Sequence, residues 1–178
     1  MNYFAKMKGT TKSPPGVGIV EIVWSWLGGF IGIGAVAILQ AYIFDGTDLM
    51  LMIGSFGASA VLVYGAIRSP LAQPRNLVGG HFLSALVGVA AFKIFQGQPV
   101  LAAATAVATA IAVMLATKTL HPPGGATALI AVIGGEKVHA LGFLYALIPA
   151  AAGAAILLIV ALLFNNIPKN RRYPEFWF

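Results

Sequence analysis

Apolar segments of about twenty residues recur from one end of this 178-residue chain to the other. Runs of that length are typical of membrane-spanning helices, because a helix needs about 20 apolar residues to cross the hydrocarbon core. Hydrophobic residues make up 59% of the chain and charged residues only 9%, whereas a soluble domain carries about 25% charged residues. In lipid, the backbone hydrogen bonds of such a chain are satisfied within helices. The sequence therefore predicts an all-α integral membrane protein.

Short turns that contain Gly, Pro or charged residues divide the chain into six apolar segments, which predict six crossings. The fifth is short, because a helix over 122–134 extends only about 20 Å, against roughly 30 Å for the hydrocarbon core. We therefore predict a partial helix there, with the preceding turn covering the remaining depth. The predicted segments are 19–44, 49–67, 78–95, 100–117, 122–134 and 141–164.

The fifth segment begins with the run His121-Pro122-Pro123-Gly124-Gly125. Proline is tolerated in a first helical turn, where its missing N–H has no partner anyway, and glycine permits close approach of backbone or ligand. The run therefore predicts a chain break followed by a new helix N-terminus. Inside a bilayer, such a break is tolerated only against protein or water. This break is the first place where we expect function.

The second segment contains a similar interruption. The run GASAVL at 57–62 resembles the run GATALI at 125–130, 68 positions later. Each half of the chain, 19–96 and 97–167, is then predicted to contain a long helix, an interrupted segment and a second long helix. Because three is an odd number of crossings, the two halves are inverted relative to each other. Paired interruptions of this kind point to the binding site of a transporter. The alternative is chance similarity, since small-residue hexamers recur in Gly- and Ala-rich chains.

The net charge of +6 arises from Lys and Arg residues that, except for Lys93, lie between or outside the apolar segments, and Lys93 can snorkel from near its helix end. This placement follows the positive-inside rule, so we predict no nucleic-acid partner and expect the N- and C-termini and the Arg68–Asn76 loop to be cytoplasmic. The turn with Asp45 and Asp48 then lies outside. If the interrupted segments are re-entrant instead, the Arg68–Asn76 loop moves outside, which the charge rule opposes. The predicted domains are a cytoplasmic basic N-terminal segment (1–18), a transmembrane domain (19–167) and a basic-aromatic tail (168–178).

Several kinds of chemistry are absent from the sequence. It contains no cysteine, no cluster of His with carboxylates, no phosphate-binding loop and no credible nucleophile–base pair. We therefore expect no metal, no cofactor and no enzymatic activity. None of the five acidic residues lies mid-span, Glu21 being the nearest. Cation transport and carboxylate proton relays need such groups, so an anion is favoured over a cation as the transported species.

Candidate site residues gather at the two interruptions and at the start of the third segment. Beside a helix N-terminus, where anions are favoured, His121 can donate a hydrogen bond or titrate, or it can simply cap a turn. The hydroxyls and the glycine N–H groups can bind a small anion, although small residues also serve helix packing, as in the small face at Gly80, Ser84 and Gly88 of the third segment. His81 is a polar residue within a span, and it either functions or bonds a neighbouring carbonyl. The predicted substrate-binding residues are Ser55, Gly57, Ser59, His81, His121, Pro122, Gly124, Gly125 and Thr127, with Arg75 and Asn76 at a basic entrance or in a loop that only sets orientation.

Six motifs, spread over most of the chain, resemble the HPP family of membrane proteins. The resemblance implies four membrane helices, and it implies nitrite transport through the plant and cyanobacterial members linked to that activity. Our six crossings depart from the four-helix description, and the chain has Pro-Pro-Gly-Gly where the family often has Pro-Pro-Ala-Gly. The motifs are GSFGASAV (54–61), SPLAQPRN (69–76), GGH (79–81), HPPGGATAL (121–129), FNN (164–166) and RRYP (171–174).

Two functions follow from these features. The first is a transporter or channel for a small monovalent anion, with nitrite as the leading candidate through the resemblance. The second is a non-transporting membrane scaffold or assembly subunit that binds partners through its small-residue helix faces. In either case we predict contact with membrane lipid, a homo-oligomer, and a location in the inner membrane of a bacterium or cyanobacterium.

Overall fold

The computed structural model describes residues 2–47 and 49–178, and the regular structure of those residues is entirely helical. The prediction of an all-α chain is therefore confirmed. Asp48, which belongs to the predicted outer turn, lies outside the described residues. In chain order the α-helices are α1 (Ile19–Leu39), α2 (Ser55–Ala60), α3 (Pro74–Ile94), α4 (Pro99–Ala116), α5 (Pro122–Ile133), α6 (Glu136–Leu141) and α7 (Ala152–Phe164).

Four continuous helical stretches are long and apolar enough to cross a membrane, namely Ile19–Phe44, Pro74–Ile94, Pro99–Ala116 and Glu136–Phe164. Two shorter apolar helices, Ser55–Gly65 and Pro122–Ile133, contain the two interruptions predicted from the sequence. Large apolar side chains on the long helices are exposed, as expected of a surface that faces lipid; Phe30 on α1 is 67% exposed. The count of six crossings and the inverted relation of the halves stay predictions.

Helix α3 occupies the centre of the bundle and packs against both α4 and α5. Its buried residues include the small face predicted at Gly80, Ser84 and Gly88. A Cβ added at Gly88 would lie 2.5 Å from the carbonyl oxygen of Ala128, and one at Gly80 would lie 2.5 Å from the Cβ of His121. The small face therefore lets α5 approach the backbone of α3, and its predicted role in close helix packing is confirmed.

The small pair Gly28 and Gly32 on α1 also accommodates a close neighbour. That neighbour is the ring of Tyr64, which a Cβ at Gly32 would overlap and a Cβ at Gly28 would meet at 2.9 Å. The Tyr64 hydroxyl reaches across the bundle and donates to the carbonyl oxygen of Leu157 at 3.0 Å. The two glycines thus make room for a buried aromatic ring.

Helix α3 begins earlier than the sequence suggested, at Pro74 instead of residue 78. Pro74 occupies the first helical position, where its fixed φ suits the helix and its missing N–H has no partner anyway. We had predicted a loop at Arg75 and Asn76, but both residues belong to the first turn of α3.

Two predicted segments contain backbone that is not helical. In the second segment, residues 49–53 are not helical, and the backbone N–H groups of Leu51 and Met52 donate to the side chain of Gln40. The sixth segment is not one helix over 141–164, because it turns at Gly142 (φ 51°) and again at Ile148 (φ −131°, ψ 116°). Ile148 precedes Pro149, and the residue before a proline is driven out of the helical region.

The C-terminal tail folds back onto the bundle. The Arg171 guanidinium donates to the carbonyl oxygen of Tyr64 at 2.7 Å and lies 3.6 Å from the Glu21 carboxylate at the start of α1. The Tyr173 hydroxyl donates to the carbonyl oxygen of Ala72 at 2.8 Å. These contacts bring the start of α1, the loop between α2 and α3, and the tail to one end of the molecule.

Candidate functional site

A cluster of five polar side chains lies where α2, α3 and α5 meet. Two are imidazoles and three are hydroxyls, and each of the five residues is at most 1% exposed. We call this group the polar cluster. Its members are Ser55, Ser59, His81, His121 and Thr127.

Hydrogen bonds join the polar cluster into one chain. The Ser59 hydroxyl lies 2.7 Å from Nε2 of His81 and 2.9 Å from Nε2 of His121, so it bridges the two imidazoles. Nδ1 of His81 lies 2.7 Å from the Thr127 hydroxyl, which lies 2.8 Å from the Ser55 hydroxyl. Every member of the cluster therefore bonds to at least one other member.

The chain ends at a backbone carbonyl, and this end fixes its polarity. Nδ1 of His121 lies 2.8 Å from the carbonyl oxygen of Leu71. A carbonyl oxygen only accepts, so Nδ1 of His121 carries a proton. In a neutral imidazole the other nitrogen then accepts, which makes the Ser59 hydroxyl the donor to Nε2 of His121.

Local sequence explains how the cluster residues reach the interior. His121 has an extended backbone (φ −140°, ψ 103°) because it precedes Pro122. Ser55 and Ser59 are four residues apart and so share one face of a helix. Gly124 lets α5 lie against α3, since a Cβ there would lie 2.8 Å from the Ser84 hydroxyl.

The start of α5 offers fewer backbone donors than we expected. Pro122 and Pro123 have no N–H group, and the N–H of Gly124 donates to the carbonyl oxygen of His121 at 2.8 Å. The expectation that the turn aims free N–H groups at an anion is therefore not met by these three residues. The side chains of His121 and Thr127 supply polar hydrogen atoms at this interruption.

Other predicted site residues lie outside the polar cluster. Gly57 is exposed on the outer face of α2, and a Cβ there would meet nothing within 4 Å. Pro122 and Gly125 line an apolar cavity of about 550 Å³ between α4 and α5, together with Val107 and Leu129. The structure does not bring these three predicted residues to the cluster.

The two predicted entrance residues are more buried than an entrance would require. Asn76 is 6% exposed, and its side-chain amide donates to the carbonyl oxygen of Leu120 at 2.9 Å. It therefore satisfies non-helical backbone just before the break, as Gln40 does at the first interruption. Arg75 is half-buried, and its Nε has no partner.

Sequence reasoning missed three contributors to the site. The carbonyl of Leu71 carries no sequence signal, because any residue supplies a carbonyl. The hydroxyl of Tyr145 donates to the carbonyl oxygen of Thr127 at 3.2 Å. Ser84 has a buried hydroxyl with no partner and lies beside Gly124. Its position one turn after His81 was the available signal, but we assigned Ser84 to helix packing alone.

The surroundings of the two imidazoles carry no opposite charge. Over residues 2–47 and 49–178, the single ion pair joins Arg171 to Glu21, so neither imidazole has a carboxylate within 4 Å. The ring of Phe56 meets His81 edge-on, with ring centres 5.2 Å apart, and the two imidazole centres are 5.1 Å apart. The described part of the chain also holds no group of three or more His, Cys, Asp or Glu residues suited to a metal ion.

A family model described as "HPP, transmembrane region" matches residues 14–174 of the chain. The chain belongs to the HPP family. The match shows that this HPP protein is a multi-pass integral membrane protein, in agreement with its long apolar helices. The family resemblance predicted from the motifs is therefore confirmed, whereas nitrite specificity stays a prediction.

Two relatives in Dictyostelium discoideum are named only as transmembrane proteins. One is 47% identical over 180 residues, which cover 99% of this chain and 58% of the relative. The other is 44% identical over 182 residues, which cover 99% of this chain and 64% of the relative. The chain thus spans about 60% of the length of these relatives. No solved structure matches the chain.

Proposed function

We propose that this HPP protein transports a small monovalent anion across the membrane, with nitrite as the first candidate. The observation that carries the proposal is the polar cluster, which lies inside a bundle of apolar helices and contains no acidic side chain. Polar groups inside a membrane protein are costly and are functional candidates by default. Imidazole and hydroxyl donors without a neighbouring carboxylate suit an anion better than a cation.

The architecture we propose has six crossings in two inverted halves. In this arrangement α2 and α5 are the interrupted second segments of the halves, and each is preceded by non-helical backbone. The offset of 68 positions relates Ser59 of α2 to Thr127 of α5, and both belong to the polar cluster. A site between corresponding interrupted helices is the arrangement of many secondary transporters. The N- and C-termini are cytoplasmic in this proposal.

Transport requires the cluster to exchange some of its internal hydrogen bonds for bonds to the anion. Ser84 supplies an unpartnered hydroxyl beside Gly124, and Arg75 supplies an unpartnered Nε at the start of α3. An anion that enters from the end of the bundle where α3 begins meets those two groups and the imidazole of His121. The proposal makes the chain a transporter that needs no cofactor, and not an enzyme.

The test is uptake of nitrite into liposomes that contain the purified protein. We expect uptake of nitrite above that of protein-free vesicles, and no uptake of sodium or potassium. Thr127→Val removes one hydroxyl from the cluster at nearly constant volume. Losing a hydrogen bond to a charged partner costs about 1.5–3 kcal/mol, so we expect nitrite affinity to fall about ten- to a hundredfold.

The matched control is Thr109→Val, which makes the same change at an exposed position on α4. We expect the control to transport nitrite as the wild type does. Thermal unfolding of each variant in detergent separates a loss of transport from a loss of folding. Absence of nitrite uptake by the wild type, or unchanged affinity in folded Thr127→Val, would contradict the proposal.

A membrane scaffold or assembly subunit is the second candidate. The observation in its favour is the exposed apolar face of α1, where the rings of Trp26 and Phe30 are stacked with centres 5.4 Å apart. Such a face can bind lipid, a second copy in the homo-oligomer we propose, or another membrane protein. If the chain is a scaffold, Thr127→Val lowers only its stability, and Trp26→Ala disrupts its assembly without any effect on flux.

A further inference from the structure

Four members of the polar cluster can hold either no extra proton or one, with every hydrogen bond among the four kept in both states. They form a chain that runs from Thr127 through His81 and Ser59 to His121, which always donates from Nδ1 to the carbonyl oxygen of Leu71. Each link between those two ends joins groups that can reverse their roles, because a hydroxyl both donates and accepts and an imidazole can carry its proton on either nitrogen.

With no extra proton, all donors point towards Leu71. The Thr127 hydroxyl donates to Nδ1 of His81 and so does not donate to Ser55. The N–H at Nε2 of His81 donates to Ser59, whose hydroxyl donates to Nε2 of His121. Both imidazoles are neutral in this arrangement.

With one extra proton, every link except the last reverses. Nε2 of His121 donates to Ser59, Ser59 donates to Nε2 of His81, Nδ1 of His81 donates to Thr127, and Thr127 donates to Ser55. The two arrangements interconvert by proton hops: a proton arriving at the Thr127 oxygen displaces the Thr127 proton to Nδ1 of His81, and each group passes one proton onward. The net change is one N–H bond formed at His121, and no other group gains or loses a proton.

The extra charge has no partner inside the protein. Neither imidazole has a carboxylate within 4 Å over the described part of the chain, and an isolated buried charge is strongly unfavourable. An anion bound beside the cluster supplies the missing opposite charge. Proton binding and anion binding therefore favour each other, and by linkage each raises the affinity of the other by the same factor.

We propose that this HPP protein takes up one proton with each anion, so that it is an electroneutral proton–anion symporter. The proposal rests on the anion transport proposed above and adds its coupling ion. A second proton is opposed by the first, because the imidazole centres are only 5.1 Å apart. The chain ends at the Leu71 carbonyl, which cannot pass a proton onward, so the cluster stores a proton and does not conduct it.

Few other titratable or charged groups face the cluster. The hydroxyl of Tyr145 donates to the backbone of Thr127 and stays outside the relay. Proton exchange at Thr127 and at the imidazoles therefore carries the coupling. The other charged side chains on α2, α3 and α5 are Arg75 and Lys93, and the charged or titratable side chains on the neighbouring segment after α2 and on the tail include Tyr64, Arg171 and Tyr173.

The test measures nitrite and proton uptake together in liposomes that contain the wild-type protein and a pH-sensitive dye. An inward nitrite gradient is applied with the membrane potential clamped by potassium and valinomycin, and the signal of protein-free vesicles is subtracted because nitrous acid crosses bilayers unaided. We expect internal acidification at a one-to-one ratio to nitrite, faster uptake at lower external pH, and no response to the clamped potential.

The outcomes separate the two proposals. Nitrite uptake that is driven by the membrane potential and carries no proton overturns the coupling and leaves anion transport intact. Absence of nitrite uptake overturns both. The variant His121→Asn keeps an N–H donor in the place of Nδ1 but cannot take a proton, and we expect it to lose proton uptake.

The matched control is His139→Gln, because His139 lies outside the cluster, stacked on Phe92 with ring centres 3.9 Å apart. We expect His139→Gln to keep the one-to-one ratio. An unchanged ratio in His121→Asn would also overturn the coupling. If that variant does not fold, the wild-type ratio still decides the question.

Discussion

At the scale of residues, the polar cluster depends on small neighbours as much as on its own side chains. Gly80, Gly88 and Gly124 lie where α3 meets α5 and the residues just before it. A Cβ at Gly88 or Gly124 would come within 3.0 Å of the opposite helix, and one at Gly80 would lie 2.5 Å from the Cβ of His121. Close backbone approach brings the hydroxyl of Thr127 within 2.7 Å of Nδ1 of His81. The glycines therefore help to position the imidazoles and hydroxyls.

This dependence predicts an effect of Gly88→Ala on stability. The added methyl would lie 2.5 Å from the carbonyl oxygen of Ala128 and 2.8 Å from its Cα, and backbone atoms cannot rotate away. Overpacking of this kind costs about 1–3 kcal/mol, so we expect a lower midpoint of thermal unfolding in detergent. In the control Gly29→Ala the methyl meets nothing within 4 Å, and we expect an equal or higher midpoint. Equal midpoints for the two variants would show that α3 and α5 can separate at no cost.

The cluster residues could be predicted because polar side chains within the apolar segments of a membrane protein almost always face the interior of the bundle. His121, Thr127, Ser55 and Ser59 were found at the chain breaks, and His81 was found because it lies within a span. The N–H group of Gly124 was predicted as a donor to an anion, but it donates to the carbonyl oxygen of His121 instead. The Leu71 carbonyl could not be predicted, because its position depends on how the chain folds back over 50 residues of sequence.

At the scale of elements, the hydropathy pattern located every apolar segment but not the bends within them. The last segment is uniformly apolar, so its pattern does not distinguish one helix from a helix that turns at Gly142 and Ile148. The proline at 149 was the signal for the second bend. The tail was also unpredictable in its packing, because a basic and aromatic composition fits a free interfacial tail equally well.

The packed tail predicts an effect of Tyr173→Phe on proteolysis. The Tyr173 hydroxyl donates to the Ala72 carbonyl, and leaving that buried acceptor unpaired costs about 1–3 kcal/mol. The tail then detaches more often, and we expect trypsin to cleave after Lys169 and Arg172 several times faster. The control is Tyr42→Phe, because Tyr42 is 85% exposed, and it should not change the rate.

Because of the same contact, we expect the attachment of the tail to the bundle to depend on pH. Burial raises the pKa of Tyr173 above its ordinary value near 10. A raised pKa means that the attached tail keeps the phenol protonated, whereas the detached tail ionises near pH 10. The stabilisation is therefore complete below pH 10 and is lost as the pH rises towards the higher pKa of the attached state. Equal cleavage rates for wild type and Tyr173→Phe would contradict both expectations.

At the scale of the whole molecule, the basic segments gather at one end. The tail contacts the start of α1 through Arg171 and Glu21, and it contacts the loop before α3 through Tyr173. Asn76 joins that same loop region to the break before α5. At the opposite end, Phe92 of α3 stacks on His139 of α6. One basic end and one end with few cations are what the positive-inside rule predicts for a chain with a defined orientation.

Six crossings predict on which side of the membrane each loop lies. The loop before α3 and the tail then lie on one side, and the turn after α1 lies on the other. The chain has no cysteine, so single cysteines at Ser69, Asn170 and Thr47 can each be labelled without background. We expect Ser69→Cys and Asn170→Cys to react from the cytoplasmic side with an impermeant maleimide, and Thr47→Cys to react from the other side. If Thr47 and Ser69 react from the same side, α2 does not complete a crossing. The interrupted segments are then re-entrant, and the inverted halves that bring Ser59 and Thr127 together would need another explanation.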